Sequence, residues 1–304
     1  MNLGQIIVCI AGLLIISTKI FAQSVSLPEL IRVPYQSHNE KEQREYFLYL
    51  PYGYRSSSSD RKWPVIMFLH GNGERGNGLD ELDWVMVHGP MMEAWVQKRD
   101  LPFIIISPQL PMYGMDTVSY ILNRDPVRIP KRQEAGVPQR EAESDMPNEM
   151  KGVVSASDFP YVMPPDGWER VADDLIEMVN TVVSKYQGDP DRVYLTGLSY
   201  GANGTWYMAS KFPEVWAAIN PIVGWGHPDL MPPIAEHHIP VWCIAGGRDP
   251  AYALKYYYDG INKLEALGNK EVLFTVHEDM GHDTWKRVYA GEDLYEWMLS
   301  HKKQ

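Results

Sequence analysis

Short runs of consecutive apolar residues recur along this chain, and more polar stretches separate them. Such runs, without alternation of polar positions, are typical of strands that are covered on both faces, as in a parallel sheet. The predicted strands are 46–50, 65–69, 103–106, 193–195, 217–219, 241–245 and 272–276.

Helical patterns lie between these runs. The clearest covers 168–186, where apolar residues recur with a period of 3.6 residues and predict an amphipathic helix packed on a sheet. Weaker versions cover 253–267 and 285–299. Alternation of strands and helices predicts a doubly wound α/β fold with a mostly parallel sheet.

The segment 112–166 breaks this alternation. It is rich in charged residues and prolines and shows no sustained periodicity. A loop of that length is uncommon inside a compact domain. One interpretation is a solvated, partly disordered insertion. The other is a lid or side wall over a site at the carboxyl edge of the sheet.

The amino-terminal segment forms a separate unit. Residues 6–16 are a nearly unbroken apolar run, and Ala22 precedes the polar Gln23. The run is too short to cross about 30 Å of hydrocarbon as a helix. We therefore expect a cleaved signal peptide at 1–22, a mature domain at 23–304, and a secreted or periplasmic protein without stable membrane insertion. An uncleaved anchor is the alternative. Cleavage would remove Cys9 and leave Cys243 as the single cysteine, which excludes an intrachain disulfide.

Composition and charge narrow the range of partners. The chain has 304 residues, of which 45% are hydrophobic and 22% are charged, as in ordinary globular proteins. This length fits one α/β domain with an insertion or two smaller domains. The net charge of -11 argues against nucleic acid or an anionic membrane as a partner, because phosphates would be repelled.

A candidate nucleophile lies between a predicted strand and a predicted helix. Gly197-Leu-Ser-Tyr-Gly201 follows the strand at 193–195 and precedes a helical stretch at 202–211. In this context the G-x-S-x-G pattern is typical of a sharp turn that presents a serine hydroxyl above the sheet, with glycines where side chains would clash. Ser199 is therefore the predicted nucleophile.

A serine hydroxyl needs a base that accepts its proton, and the base needs a carboxylate that orients it. His282 alone among the histidines occupies the loop after the last predicted strand. Asp249 directly follows the strand at 241–245 and is favoured over its competitors Asp259, Asp279 and Asp283. The chain order Ser199, Asp249, His282 is the order expected for this architecture.

The glycine-rich stretch His70-Gly-Asn-Gly-Glu-Arg-Gly76 directly follows the strand at 65–69. We expect the backbone N–H groups of Asn72 and Tyr200 to bind the oxyanion of a tetrahedral intermediate. The stretch lacks the Walker pattern and does not match a dinucleotide fingerprint, and no HxxxH or CxxC pattern indicates a metal. We expect neither a metal nor another cofactor.

These motifs give the chain a clear resemblance. It is similar to the carboxylesterase family of the α/β-hydrolase type that includes polyhydroxybutyrate depolymerases and feruloyl and acetylxylan esterases, and it resembles predicted peptidases of the prolyl oligopeptidase superfamily. The resemblance rests on YFLYLP at 46–51, FLHGNGERG at 68–76, SPQ at 107–109, DRVYLTGLS at 191–199, GTW at 204–206 and GHDTW at 281–285. It implies a triad of Ser199, Asp249 and His282. The chain departs from the family by the insertion 112–166 and by Ala202, where a second glycine is common.

Three functions remain open. The first is hydrolysis of carboxylic esters, which the resemblance extends to small-molecule esters or acyl groups on polysaccharides. The second is a serine peptidase, and the third is a non-catalytic carbohydrate-binding protein on a hydrolase fold. We expect Trp225, between two loop glycines, to line the pocket, and His70 and Glu74 to contact substrate. Trp206 and Trp285 are assigned to core packing.

Overall fold

The predicted strands lie side by side in one sheet in the computed structural model, which describes residues 25–134, 158–164 and 166–303. Eight strands form this sheet within the described residues. They are β1 (Glu29–Gln36), β2 (Gln43–Leu50), β3 (Trp63–Leu69), β4 (Ile104–Ser107), β5 (Gly188–Leu198), β6 (Ala218–Ile222), β7 (Val241–Gly246) and β8 (Val272–His277).

The spatial order of the strands is β1-β2-β4-β3-β5-β6-β7-β8. β2 runs antiparallel to both β1 and β4, whereas all pairs from β4 to β8 are parallel. The carboxyl ends of the parallel strands therefore meet at one edge, where ligand sites lie in open α/β sheets. The mostly parallel α/β fold predicted from the sequence is confirmed.

Helices cover both faces of the sheet. They are α1 (Gly89–Met91), α2 (Ser119–Leu122), α3 (Ala172–Lys185), α4 (Tyr200–Lys211), α5 (Met231–Glu236), α6 (Tyr257–Ala266), α7 (Trp285–Ala290) and α8 (Asp293–Leu299). Every residue of β3 is buried, and its side chains alternate between two hydrophobic clusters. One cluster includes residues of α3 to α6, and the other includes residues of α1, α7 and α8. Burial on both faces explains why β3 reads as an unbroken apolar run.

Two elements differ from the sequence prediction. β1 was not predicted, because it is a half-exposed edge strand whose residues are partly polar. The stretch predicted as one helix at 285–299 is two helices, since the chain leaves helical geometry at Gly291, which has φ -72° and ψ 167°. The predicted helix at 168–186 is α3, preceded by a single 3₁₀ turn at Trp168–Val171.

The described parts of the insertion 112–166 lie against the carboxyl edge of the sheet. Residues 112–134 contain a 3₁₀ turn at Met115–Thr117 and the short helix α2. The predicted signal peptide 1–22 and the middle of the insertion, residues 135–157, lie outside the described residues. No helix among the residues described by the structure is long and apolar enough to span a membrane.

Candidate active site

Ser199 lies in the tight turn between β5 and α4. Its backbone has φ 54° and ψ -118°, a conformation that is strained for a residue with a side chain. The turn brings Gly197 and Gly201 into close contact with neighbouring backbone. A Cβ atom at Gly201 would lie 1.9 Å from the Leu69 carbonyl oxygen, and one at Gly197 would lie 2.3 Å from the Gly201 oxygen. Glycine is therefore required at both positions of the predicted motif.

The structure brings Ser199, His282 and Asp249 together at the carboxyl edge of the sheet. His282 Nε2 lies 2.9 Å from Ser199 Oγ, and His282 Nδ1 lies 2.8 Å from Asp249 Oδ2. The Asp249 side chain has no exposed surface, and because a carboxylate only accepts hydrogen bonds, the donor in this contact is Nδ1–H. Nε2 is then the acceptor that faces the serine hydroxyl. This is the geometry in which an imidazole can take the serine proton.

The loop after β7 holds Asp249 in place. Its Oδ1 accepts hydrogen bonds from the backbone N–H groups of Ala251, at 2.8 Å, and Tyr252, at 3.1 Å. These bonds stabilise the ionised carboxylate and fix its orientation toward the imidazole. Of the competing carboxylates, Asp279 pairs with Arg287, Asp283 pairs with Lys286, and Asp259 lies in α6.

Two aromatic rings hold the His282 imidazole. The Tyr252 ring lies parallel to it at 5.5 Å between ring centroids, and the Trp285 ring meets it edge-on at 5.0 Å. The Tyr252 hydroxyl donates a 2.6 Å hydrogen bond to the buried Asn203 Oδ1. Tyr252 is not among the site residues predicted from the sequence. Its position three residues after Asp249 was the available signal, but sequence spacing does not reveal a ring contact.

The loop after β3 passes beside the nucleophile. A Cβ atom on Gly71 would lie 3.6 Å from Ser199 Cβ, so the backbone here approaches the serine closely. Asn72 begins a 3₁₀ turn that ends at Glu74, and Tyr200 begins α4. N–H groups in the first turn of a helix lie at the positive end of its dipole. Tyr200 directly follows Ser199 and Asn72 directly follows Gly71, and binding of an oxyanion by their N–H groups stays a prediction.

The prediction that His70 contacts substrate is wrong. The residue is buried, its Nε2 accepts a 2.9 Å hydrogen bond from Leu110 N–H, and its Nδ1 lies 2.6 Å from the Gly71 carbonyl oxygen. Burial lowers the pKa of His70 to about 3, so the ring is neutral and carries its proton on Nδ1. His70 shapes the loop through its backbone partners.

Glu74 belongs to the same loop, and its side chain is buried rather than open to solvent. Its Oε2 would lie 3.1 Å from a Cβ on Gly71, and its Oε1 lies 3.9 Å from His88 Nε2. Burial raises the pKa of Glu74 to about 7 and lowers the pKa of His88 to about 4. Glu74 was predicted to contact substrate, but it is only 8% exposed, so its side chain is not open to a substrate.

The prediction that Trp225 lines an open pocket is also wrong. Trp225 is 2% exposed, and three aromatic rings cover it. Tyr161 stacks on it at 5.0 Å, while Phe159 and Tyr256 pack at 5.4 Å and 5.3 Å. Tyr161 and Phe159 belong to the insertion, so the surface that Trp225 would present is occupied by the chain itself.

No model of a known protein family matches the chain. Poly(3-hydroxyalkanoate) depolymerase C of Paucimonas lemoignei is 46% identical over 48 residues, which are 16% of this chain and 12% of that protein. Feruloyl esterase B of Talaromyces stipitatus is 35% identical over 79 residues, 25% of this chain and 18% of that protein. The matches thus span less than a fifth of these relatives.

Solved structures match almost the whole chain. A thermostable esterase has a TM-score of 0.58 with 21% identity, and the match covers 90% of this chain and 63% of that one. An acylaminoacyl peptidase of Pyrococcus horikoshii has a TM-score of 0.54 with 14% identity, and the match covers 92% of this chain and 42% of that one. The protein therefore has the α/β-hydrolase fold. Its resemblance to esterases and to peptidases of this fold, inferred from the motifs, is confirmed.

Proposed function

We propose that the protein is a serine carboxylesterase in which Ser199, His282 and Asp249 form the catalytic triad. One observation carries the proposal: the continuous hydrogen-bond relay from Asp249 Oδ2 through the imidazole to Ser199 Oγ. The relay lies at the carboxyl edge of the sheet, where the loop 70–76 can bind an oxyanion.

In the first half of the reaction, Ser199 Oγ attacks the ester carbonyl carbon while His282 Nε2 takes the hydroxyl proton. The carbonyl oxygen becomes an oxyanion and accepts hydrogen bonds from the N–H groups of Asn72 and Tyr200. The imidazolium, stabilised by Asp249, then protonates the leaving alkoxide as the ester C–O bond breaks. An acyl-enzyme remains on Ser199.

In the second half, a water molecule takes the place of the alcohol. His282 Nε2 removes a proton from the water, whose oxygen attacks the acyl carbon. The resulting tetrahedral intermediate collapses, the proton returns to Ser199 Oγ, and a carboxylic acid leaves. This cycle needs no cofactor.

The proposed substrates are esters of small molecules or acyl groups, such as acetyl or feruloyl, on polysaccharides. Segments of the chain are similar to a poly(3-hydroxyalkanoate) depolymerase and to a feruloyl esterase. The apolar run at 6–16 supports a secreted or periplasmic location for such an activity.

Turnover of p-nitrophenyl acetate and methyl ferulate by the wild type and by Ser199→Ala tests the proposal. We expect hydrolysis by the wild type and a loss of about 10⁴-fold or more in kcat for the variant, because the acyl-enzyme cannot form. Thr205→Ser, a buried hydroxyl on α4 that lies outside the triad, serves as the control. Unchanged turnover by Ser199→Ala would refute the nucleophile, and cleavage of peptide amides without ester cleavage would favour a peptidase.

A further inference from the structure

The loop at residues 70–76, called here the oxyanion loop, is held from outside by the insertion. The contact is made by residues 112–134, which follow β4 and carry α2. The contacts of this segment therefore bear on the position of the oxyanion loop.

Arg124, next to α2, makes two of these contacts. Its Nη1 donates hydrogen bonds to the carbonyl oxygens of Gly73, at 3.2 Å, and Arg75, at 2.5 Å. Its Nη2 pairs with Glu81 at 2.5 Å, and its guanidinium lies over the Trp84 ring at 4.6 Å. The Arg124 side chain is only 9% exposed. A guanidinium held by a carboxylate and a ring is a rigid donor, so both loop carbonyls are fixed.

A second set of contacts reaches Asn72 itself. The Asn72 amide nitrogen donates to the hydroxyl of Tyr120 on α2, and its Oδ1 accepts from Arg75 Nε at 2.5 Å. Arg75 is fully buried and also donates to Pro111 O, at 2.8 Å, and to Asp166 O, at 2.9 Å. Arg75 also lies 3.4 Å from the Met112 carbonyl oxygen, so the arginine that holds the Asn72 side chain is bonded to both ends of the insertion.

From this geometry we propose that Arg124 is a positioning residue for the oxyanion loop, and that residues 112–134 of the insertion support the catalytic step. The inference rests on the proposed function, since it assigns the loop a role in binding the oxyanion. Arg124 itself does not touch substrate. It acts by fixing the carbonyls of Gly73 and Arg75, which limits the positions that the Asn72 N–H can occupy.

Arg124→Met tests this role, with Arg132→Met as the matched control. Arg132 lies on the same insertion, stacks on Trp95 at 3.8 Å and donates to the Trp95 carbonyl, away from the oxyanion loop. Turnover of p-nitrophenyl acetate, the dissociation constant of phenylboronic acid and the Tm are measured for each. The boronate forms a tetrahedral adduct with a serine oxygen and so reports on the oxyanion site without turnover.

We expect kcat of Arg124→Met to fall between about 10-fold and about 100-fold, less than the loss on removing an oxyanion donor outright. KM should change by less than about threefold, and the boronate should bind more weakly by the factor lost in kcat. Arg132→Met should match the wild type in all three measurements. Arg124→Lys, which retains the charge and a donor group but not the planar guanidinium, should recover part of kcat.

Three results would overturn the inference: kcat of Arg124→Met equal to that of the wild type, an equal loss in Arg132→Met, or a loss in kcat with unchanged boronate affinity. If Arg124→Met does not fold, Tyr120→Phe replaces it. Tyr120 is 56% exposed, and loss of its hydroxyl should reduce kcat and boronate affinity together. Inactivity of the wild type, or activity of Ser199→Ala, would instead refute the proposed function.

Discussion

At the scale of single residues, the aromatic environment of His282 is the least expected part of the site. An imidazole on a loop can rotate about two side-chain bonds, and small rotations break the geometry of proton transfer. The parallel Tyr252 ring and the edge-on Trp285 ring restrict that rotation. Asp249 fixes only one end of the imidazole, so the rings complete its orientation.

Replacing Tyr252 separates its ring from its hydroxyl. Tyr252→Leu removes the ring beside His282, and we expect kcat for p-nitrophenyl acetate to fall about 10-fold or more. Tyr252→Phe retains the ring and should lose less of kcat. It leaves Asn203 Oδ1 buried without the 2.6 Å hydrogen bond, so the free energy of unfolding should fall by about 1–3 kcal/mol. Equal kcat values for the two variants would contradict a role for the ring.

Because the pKa of Glu74 is raised, we expect the stability of the protein to depend on pH. Burial raises its pKa from 4.5 to about 7 in the folded protein. Between these values the unfolded chain loses a proton that the folded protein keeps, so the free energy of unfolding falls as the pH rises and levels off above pH 7. Relative to Glu74→Gln, the free energy of unfolding of the wild type should therefore fall by about 3 kcal/mol between pH 4.5 and pH 8.

Urea denaturation at several pH values measures this difference, and the exposed Glu265→Gln controls for the loss of one negative charge. If the free energies of unfolding of Glu74→Gln and the wild type differ by the same amount at every pH, the environment of Glu74 does not disfavour its charged form.

At the scale of elements, the turn between β5 and α4 depends on backbone proximity. Gly201→Ala would place a Cβ atom 1.9 Å from the Leu69 carbonyl oxygen at the end of β3, so strand and helix must move apart. We expect the free energy of unfolding to fall by about 3 kcal/mol or more, as measured in urea. Gly73→Ala is the control: its Cβ would meet nothing within 4 Å, and its effect should stay below about 1 kcal/mol.

The strands and helices also differ in how well the hydrophobic pattern of the sequence predicted them. The central strand β3 is buried on both faces, so its unbroken apolar run identified it directly. The edge strand β1 is half-exposed and carries polar residues, so no apolar run indicated it. The break between α7 and α8 is set by a single extended residue, Gly291, which a helical pattern of apolar residues does not register.

At the scale of the whole molecule, parallel strand directions assemble the site. Ser199, Asp249 and His282 follow β5, β7 and β8, and the oxyanion loop follows β3. Because all four strands are parallel, their carboxyl ends meet at one edge. Residues up to 83 positions apart in the chain thereby come within hydrogen-bonding distance.

The sequence by itself determined the α/β fold, the position of the strained turn at Ser199 and the chain order of its partners. Strand burial, glycine spacing and strand order are local or periodic features, so they are visible along the chain. Only the tertiary structure decided the environments of His70, Glu74 and Trp225, which are buried rather than open to substrate. It also decided that Tyr252 holds His282 and that Arg124 contacts the oxyanion loop. Burial and long-range contacts depend on which segments pack together, and no pattern within one segment records that.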